Sequence, residues 1–175
     1  MPPLDGINAN NTAASSTTGG TKSTSKQTEA QKADAGLLAI FSKYDTNHNN
    51  KIGRKERKKA GLTKEQAKAL NKASKAFNNK TQEITVKKIG SSLFCYYDKD
   101  GKEFLSTCRD GSMSFSTTEY DDNNVMFRKS VHFTKDGKKY SEMTSHPDTK
   151  TTRIIYYDDD GNEISNYECY KYFDI

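Results

Sequence analysis

Apolar positions along this chain follow two periods, and the change between them divides it. From about Ala33, Leu37, Ile40, Phe41 and Tyr44 recur at i, i+3, i+4 and i+7, the stripe of an amphipathic helix. After a polar gap, Arg54 to Lys59 is expected to form a short helix that ends near Gly61. Thr63-Lys-Glu-Gln66 is a capping box that opens another helix, with Leu62, Ala67, Leu70, Ala73 or Ser74, and Phe77 on its inner face. Beyond Gly90 the period becomes two. Met113 and Phe115 alternate with Ser114 and Ser116, and Val125, Phe127, Val131 and Phe133 alternate with Met126, Arg128, Ser130 and His132. Turn signals separate these runs at Asp100-Gly101, Asp110-Gly111, Asp122-Asn-Asn124, Asp136-Gly137, Pro147-Asp148 and Asp160-Gly161. Six turns predict an antiparallel meander of about seven strands. The expected fold class is α+β: a helical block over residues 33–90 and a β-hairpin domain over residues 91–175.

Composition adds a third region. Only 32% of the 175 residues are hydrophobic, against about 45–50% in an average globular domain. Much of the deficit lies in residues 1–32, where ten Ser/Thr fall between Thr12 and Thr28 and almost no large apolar side chain follows Ile7. Such a segment cannot offset the ~1–2 kcal/mol per residue of backbone ordering, and a disordered tail is expected. The chain has no apolar run long enough for a membrane span, and its start lacks the apolar core of a Sec signal. A Ser/Thr/Asn-rich start of this kind is similar to the export signals of bacterial type III secretion substrates, which implies either a cytoplasmic protein or one exported by a non-Sec route. Cys95, Cys108 and Cys169 are odd in number and lack Cys-x-x-Cys spacing, so buried free thiols are expected.

The net charge of +5 conceals a contrast. Residues 37–90 carry 14 Lys and Arg against four carboxylates, whereas residues 91–175 carry 11 against 16. The blocks are therefore +10 and −5, and surfaces so opposed are expected to touch.

The polar gap carries the chemistry. It reads Asp45-Thr-Asn-His-Asn-Asn-Lys-Ile-Gly-Arg-Lys-Glu56. As a twelve-residue loop it offers side-chain oxygens at positions 1, 3 and 5 (Asp45, Asn47, Asn49), a carbonyl at 7 (Lys51), a water-bridged position at 9 (Gly53) and Glu56 at 12. Hard cations that take 6–8 oxygen ligands need that spacing. With Phe41-x-x-Tyr44 ahead of it and Ile52 at position 8, the segment resembles the EF-hand family. The resemblance implies a Ca²⁺ site formed by Asp45, Asn47, Asn49, the Lys51 carbonyl and Glu56. Asn50 stands where the family has Gly, and Asn tolerates the left-handed conformation needed there. With only two charged ligands inside a +10 block, the expected dissociation constant is about 10⁻⁵ to 10⁻³ M. Because EF-hands pair, Glu83–Ile89 is expected to form the second half of a degenerate partner loop. Its ligand positions would be Phe77, Asn79, Thr81 and Lys88; an ammonium at the last of these excludes a cation, and Ile84 would pair with Ile52.

The C-terminal block repeats internally. Residues 94–104 (FCYYDKDGKEF) match 154–164 (IIYYDDDGNEI), and 131–140 (VHFTKDGKKY) is related to the first at an offset of 36. These units resemble the Tyr-Asp and Asp-Gly hairpin repeats of bacterial surface and toxin-associated proteins. Their Asp clusters are expected to be turns rather than metal ligands, since no Glu follows at the required distance. His48, His132 and His146 sit beside no nucleophile pattern, so no enzyme is expected. Lysines from Lys51 to Lys88 spread around the helices, with Phe77 the one aromatic among them; nucleic acid is not the expected partner. The resulting expectation is a calcium-binding protein with a structural or weakly calcium-responsive role. The alternative is a protein–protein interaction module that uses the Tyr-rich sheet, with the helical pair as scaffold.

Overall fold

A computed structural model of the chain describes residues 26–77 and 83–170. Four helices, α1 (Glu29–Ala33), α2 (Ala35–Tyr44), α3 (Arg54–Lys59) and α4 (Lys64–Ala73), precede eight strands. The strands are β1 (Thr85–Ile89), β2 (Leu93–Tyr97), β3 (Glu103–Cys108), β4 (Met113–Tyr120), β5 (Met126–Phe133), β6 (Lys139–His146), β7 (Thr151–Tyr157) and β8 (Glu163–Tyr170). They form one antiparallel sheet in sequence order. The fold is α+β. Among the described residues no helix is long and apolar enough to cross a membrane.

Each helix starts where its sequence supplies an acceptor for the orphan N–H groups of the first turn. Thr63 and Gln66 close the expected capping box of α4, and Thr28 and Gln31 close another on α1. α1 corrects the expected extent of the tail. Residues 1–25 lie outside the described residues, but within 26–32 the chain already forms a capped helix with Ala30 and Gln31 buried. The strand count is also corrected, from about seven to eight. Glu83–Ile89, expected as half of a second EF-hand loop, instead leads into β1, which pairs with β2 from Thr85↔Tyr97 to Ile89↔Leu93. Phe77, expected on the inner face of α4, lies past the helix end and is 45% exposed.

The helices cover one face of the sheet at β2 to β5. Leu37, Ile40, Phe41 and Tyr44 of α2 and Ala67, Leu70 and Ala73 of α4 join Tyr96, Leu105, Met113 and Phe115 in a single core, with Phe94, Phe104 and Phe133 at its margin. The +10 and −5 blocks thus touch as expected, though by another force. Among the described residues no ion pair crosses between them. Apolar burial and one buried carboxylate make the junction. Asp34, the N-cap of α2, accepts the Gly36 and Leu37 N–H groups at Oδ1 (2.9 and 3.1 Å). Its Oδ2 accepts the Tyr96 hydroxyl of β2 (2.7 Å) and the Thr107 hydroxyl of β3. Burial, reinforced by the neighbouring Asp34 carboxylate, pushes the Tyr96 hydroxyl far above the usual tyrosine range and keeps it a donor.

At its other end α2 meets the β5–β6 turn. Lys43 Nζ donates to the Lys135 carbonyl (3.3 Å), and a side chain at Gly137 (φ +83°) would overlap the Tyr44 hydroxyl. Gly36 shows how closely helix and sheet approach: a Cβ there would overlap the Cys108 backbone carbonyl. Helix propensity alone favours Gly36→Ala by about 1 kcal/mol. The contact reverses that sign, and the substitution should destabilise by about 1–3 kcal/mol in urea unfolding. A variant at least as stable as the parent would show that α2 does not rest on β3.

Candidate functional site

The loop between α2 and α3 is built around its two carboxylates. Asp45 and Glu56 are 3% and 7% exposed. Asp45 Oδ1 accepts the Asn49 N–H (3.1 Å) and Oδ2 the Asn50 N–H (2.7 Å), so position 1 folds the loop back over itself. Asn47 Oδ1 also accepts the Asn49 N–H (3.1 Å), and Asn49 Oδ1 accepts the Lys51 N–H (2.9 Å). The expected ligand positions 1, 3 and 5 are therefore linked through the Asn49 N–H. Lys51, whose carbonyl is the expected fourth ligand, is held in the loop through its N–H. Asn50 adopts φ +63°, the left-handed conformation expected at position 6, and His48 adopts φ +55°.

Glu56 closes the loop from its far end. As the third residue of α3 it accepts the Gly53 N–H at Oε2 (2.8 Å), which caps that helix. Its Oε1 reaches back to the start of the loop and accepts the Thr46 hydroxyl (3.1 Å) and the Asn47 N–H (3.2 Å). Burial raises the Glu56 pKa, but the Gly53 and Asn47 N–H groups and the Thr46 hydroxyl outweigh it and hold the carboxyl below its ordinary range. A cleft of about 200 Å³ lined by Lys43, Tyr44, Thr46, Glu56, Lys59 and Ala60 opens the carboxylate toward solvent. Among the described residues no Lys, Arg or His nitrogen lies within 4.0 Å of Asp45 or Glu56.

The expected pairing of Ile52 with Ile84 is not what the structure contains. Ile52 is buried, and both of its peptide groups' hydrogen bonds go to one side chain of α4. The Asn71 amide oxygen accepts the Ile52 N–H (2.8 Å) and the amide nitrogen donates to the Ile52 carbonyl (3.0 Å). A carboxamide offers a donor and an acceptor side by side, as a backbone peptide does, so it can replace a partner strand for one residue. Asn79 and Thr81 of the expected second loop lie outside the described residues. Ile84 stands just ahead of β1. Asn71 has no signature in the sequence, because an Asn within a helix is ordinary and its partner is 19 residues away.

The donor set suits a hard cation in kind: two buried carboxylates with no ion-pair partner among the described residues, and two amide oxygens. It is poor in charge, and among the described residues no group of three or more His, Cys, Asp or Glu side chains gathers at one point. Both acceptor sites of Glu56 Oε1 are in use, so bidentate ligation there competes with the clasp to Thr46 and Asn47. The thiols are free, as expected, but only Cys95 is buried; Cys108 is half-buried and Cys169 exposed. Burial, with the Glu103 carboxylate nearby, raises the Cys95 pKa and keeps its thiol protonated.

Two outcomes test this geometry. Because the folded pKa of Glu56 lies below its ordinary 4.5, its contribution to stability is complete above about pH 4.5 and is lost as the pH falls through the folded value. Urea midpoints between pH 7 and 3 should fall more steeply for the parent than for Glu56→Gln; parallel profiles would place the acid response elsewhere. Asn71→Leu leaves the Ile52 N–H and C=O unpartnered and should cost about 1–3 kcal/mol. In the same variant, amide exchange at Ile52 should accelerate by the corresponding factor. Unchanged Ile52 protection would mean that Asn71 does not hold the loop.

No protein-family model matches the chain, and no curated protein or solved structure matches it.

Proposed function

We propose that the Asp45–Glu56 loop binds a single Ca²⁺ ion with low affinity and that the bound ion stiffens the junction of α2 and α3. The observation that carries this reading is the pair of buried carboxylates, Asp45 and Glu56, with no cationic side chain beside them among the described residues. The surrounding block bears +10 and could have supplied a cation at either position. Burying charge costs free energy; the loop's N–H and hydroxyl donors outweigh that cost at Glu56, but they carry no net charge and leave the negative charge of the pair uncancelled. A divalent ion cancels it.

Asp45, Asn47, Asn49, the Lys51 carbonyl and Glu56 would hold the ion, and Gly53 at position 9 leaves room for a bridging water. Three features set the affinity low. Only two ligands are charged, Lys43 and Lys59 line the cleft in front of Glu56, and Glu56 must exchange its bonds to Thr46 and Asn47 for ligation. A dissociation constant of about 10⁻⁴ M fits such a site. At that affinity the loop responds to millimolar calcium and is largely empty at micromolar calcium.

Thermal melting in EDTA and in about 5 mM Ca²⁺ tests the reading. Linkage predicts stabilisation of about 2 kcal/mol, a rise in Tm of about 4–8 °C for a chain of this size. Mg²⁺ at the same concentration should give little, and Asp45→Ala should abolish the shift. Identical melting curves with and without calcium would refute the assignment.

A further inference from the structure

The sheet runs in sequence order from β1 to β8, and among the described residues nothing pairs with the outer side of either strand. Lys87, Lys88 and Ile89 of β1 and Glu163, Tyr167 and Glu168 of β8 are exposed. Such edges present rows of unpaired N–H and C=O groups and are templates for a further strand. Seven antiparallel pairings alternate the strand direction, so β8 runs opposite to β1. A second copy in the same orientation, with its β1 set beside β8 of the first, therefore continues the antiparallel order and keeps its helices on the same side.

The peptide groups agree with that placement. The Arg109 N–H donates to the Ser92 carbonyl (2.9 Å), so along β2 the groups of Phe94 and Tyr96 face β3 and those of Leu93, Cys95 and Tyr97 face β1. Their partners Ile89, Lys87 and Thr85 are thereby used, and Val86 and Lys88 turn their groups outward. At the far end the Asp158 N–H donates to the Asn162 carbonyl (2.9 Å), so along β7 Tyr156 and Ile154 face β8 while Ile155 and Arg153 face β6. Tyr167, opposite Ile154, is used, and Asn166 and Glu168 turn outward. Lys88 lies opposite Phe94, at the margin of the core. Glu168 lies opposite Arg153, two residues from Ile155, whose row runs through Glu142 and Val131 to the core residue Phe115. Both therefore belong to the side of the sheet that carries the helices. The outward groups of the two edges come from residues of one side, the condition for pairing them without turning the second copy over.

Side chains choose the occupant. β1 carries two lysines and no carboxylate, and β8 carries two glutamates and no cation. Pairing β1 with another β1, or β8 with another β8, gathers like charge, whereas pairing β1 with β8 opposes unlike charge. One register also joins the apolar residues that these edges expose. With Glu168 opposite Lys88, Tyr167 stands opposite Ile89 on the other side of the sheet, and these two are 59% and 52% exposed. Among the described residues neither Lys88 nor Glu168 has an ion-pair partner. The Lys88 ammonium lies over the Phe94 ring, 5.6 Å from its centroid, on the side where the Glu168 carboxylate of a second copy arrives. We propose that copies of this chain join head to tail, β8 of one to β1 of the next, so that the sheet extends through the assembly. Each addition leaves one unpaired β1 and one unpaired β8, so the contact is heterologous and propagates. The β1 side of the joint has only five residues, which makes each joint weak. Neither the Asp45–Glu56 loop nor calcium takes part in it.

Sedimentation equilibrium of the full chain in EDTA, from about 10 μM to about 1 mM, tests the proposal. The weight-average mass should climb with concentration past that of a dimer. Lys88→Glu and Glu168→Lys each set like charges across the joint and should weaken association by about tenfold. The double variant Lys88→Glu/Glu168→Lys restores an unlike pair in the reverse sense and should recover the parent's association. All three variants change exposed side chains and should keep the parent's Tm. In the parent, amide exchange at Lys88 and Glu168 should slow as the concentration rises, and exchange at Lys87 and Tyr167, bonded within one copy, should change less. A monomer throughout, single variants that associate like the parent, or a double variant as weak as either single variant would overturn the proposal. So would a mass that stops at the dimer and responds to Glu168→Lys alone, since it would assign the contact to two β8 strands.

Discussion

A single carboxylate joins the two layers, and the placement of much else follows from it. Asp34 is withdrawn from water between the start of α2 and strands β2 and β3, where it takes four hydrogen bonds from Gly36, Leu37, Tyr96 and Thr107. A buried carboxylate is costly unless donors surround it, and these donors come from both the helix and the sheet. Satisfying it therefore requires the helix N-terminus to sit over β2 and β3. Gly36, two residues on, permits the approach by leaving space for the Cys108 carbonyl. With that end set, the ten residues of α2 carry Tyr44 to the β5–β6 turn, and the loop that begins at Asp45 is delivered to the sheet margin.

From there the loop is held by its own side chains and by one residue of α4. Glu56 ties both ends of the loop to itself, and Asn71 satisfies both peptide groups of Ile52. A side-chain amide of α4 thus takes the place of a partner strand at the centre of the loop. The consequence falls on the proposed calcium site. A clasp that closes the loop without metal uses the same oxygens that metal would use, so stability of the free loop is obtained at the expense of affinity.

The sheet shows how one local rule can yield different surfaces. All three repeated hairpins place an extra residue beyond their turn, as the Asp-Gly or Lys-Asp-Gly signal and its positive-φ glycine dictate. Pairing then decides which side of the sheet each bulge enriches. Tyr96 and Phe104 of the first hairpin complete the core, whereas Tyr140 and Ile164, the extra residues of the other two, remain exposed, so the same unit acts once as packing and again as surface.

Much of the local structure was legible in the sequence. The spacing of Leu37, Ile40, Phe41 and Tyr44, the Thr63–Gln66 capping box, the end of α3 near Gly61 and all six expected turns depend on dihedral preference and on hydrogen bonds within a few residues. So does the Asx fold of Asp45 over Asn49 and Asn50. What escaped it was decided by tertiary pairing. The segment at Thr85–Ile89 became an edge strand because β2 offered an open ladder, and Ile52 found Asn71 because α4 lies beside it. The charge contrast did foretell contact between the blocks, yet a shared core and Asp34 make that contact. Local preferences act through bonds near in sequence, while the choice of partner for a buried donor, acceptor or apolar face depends on which groups the folded chain brings within reach.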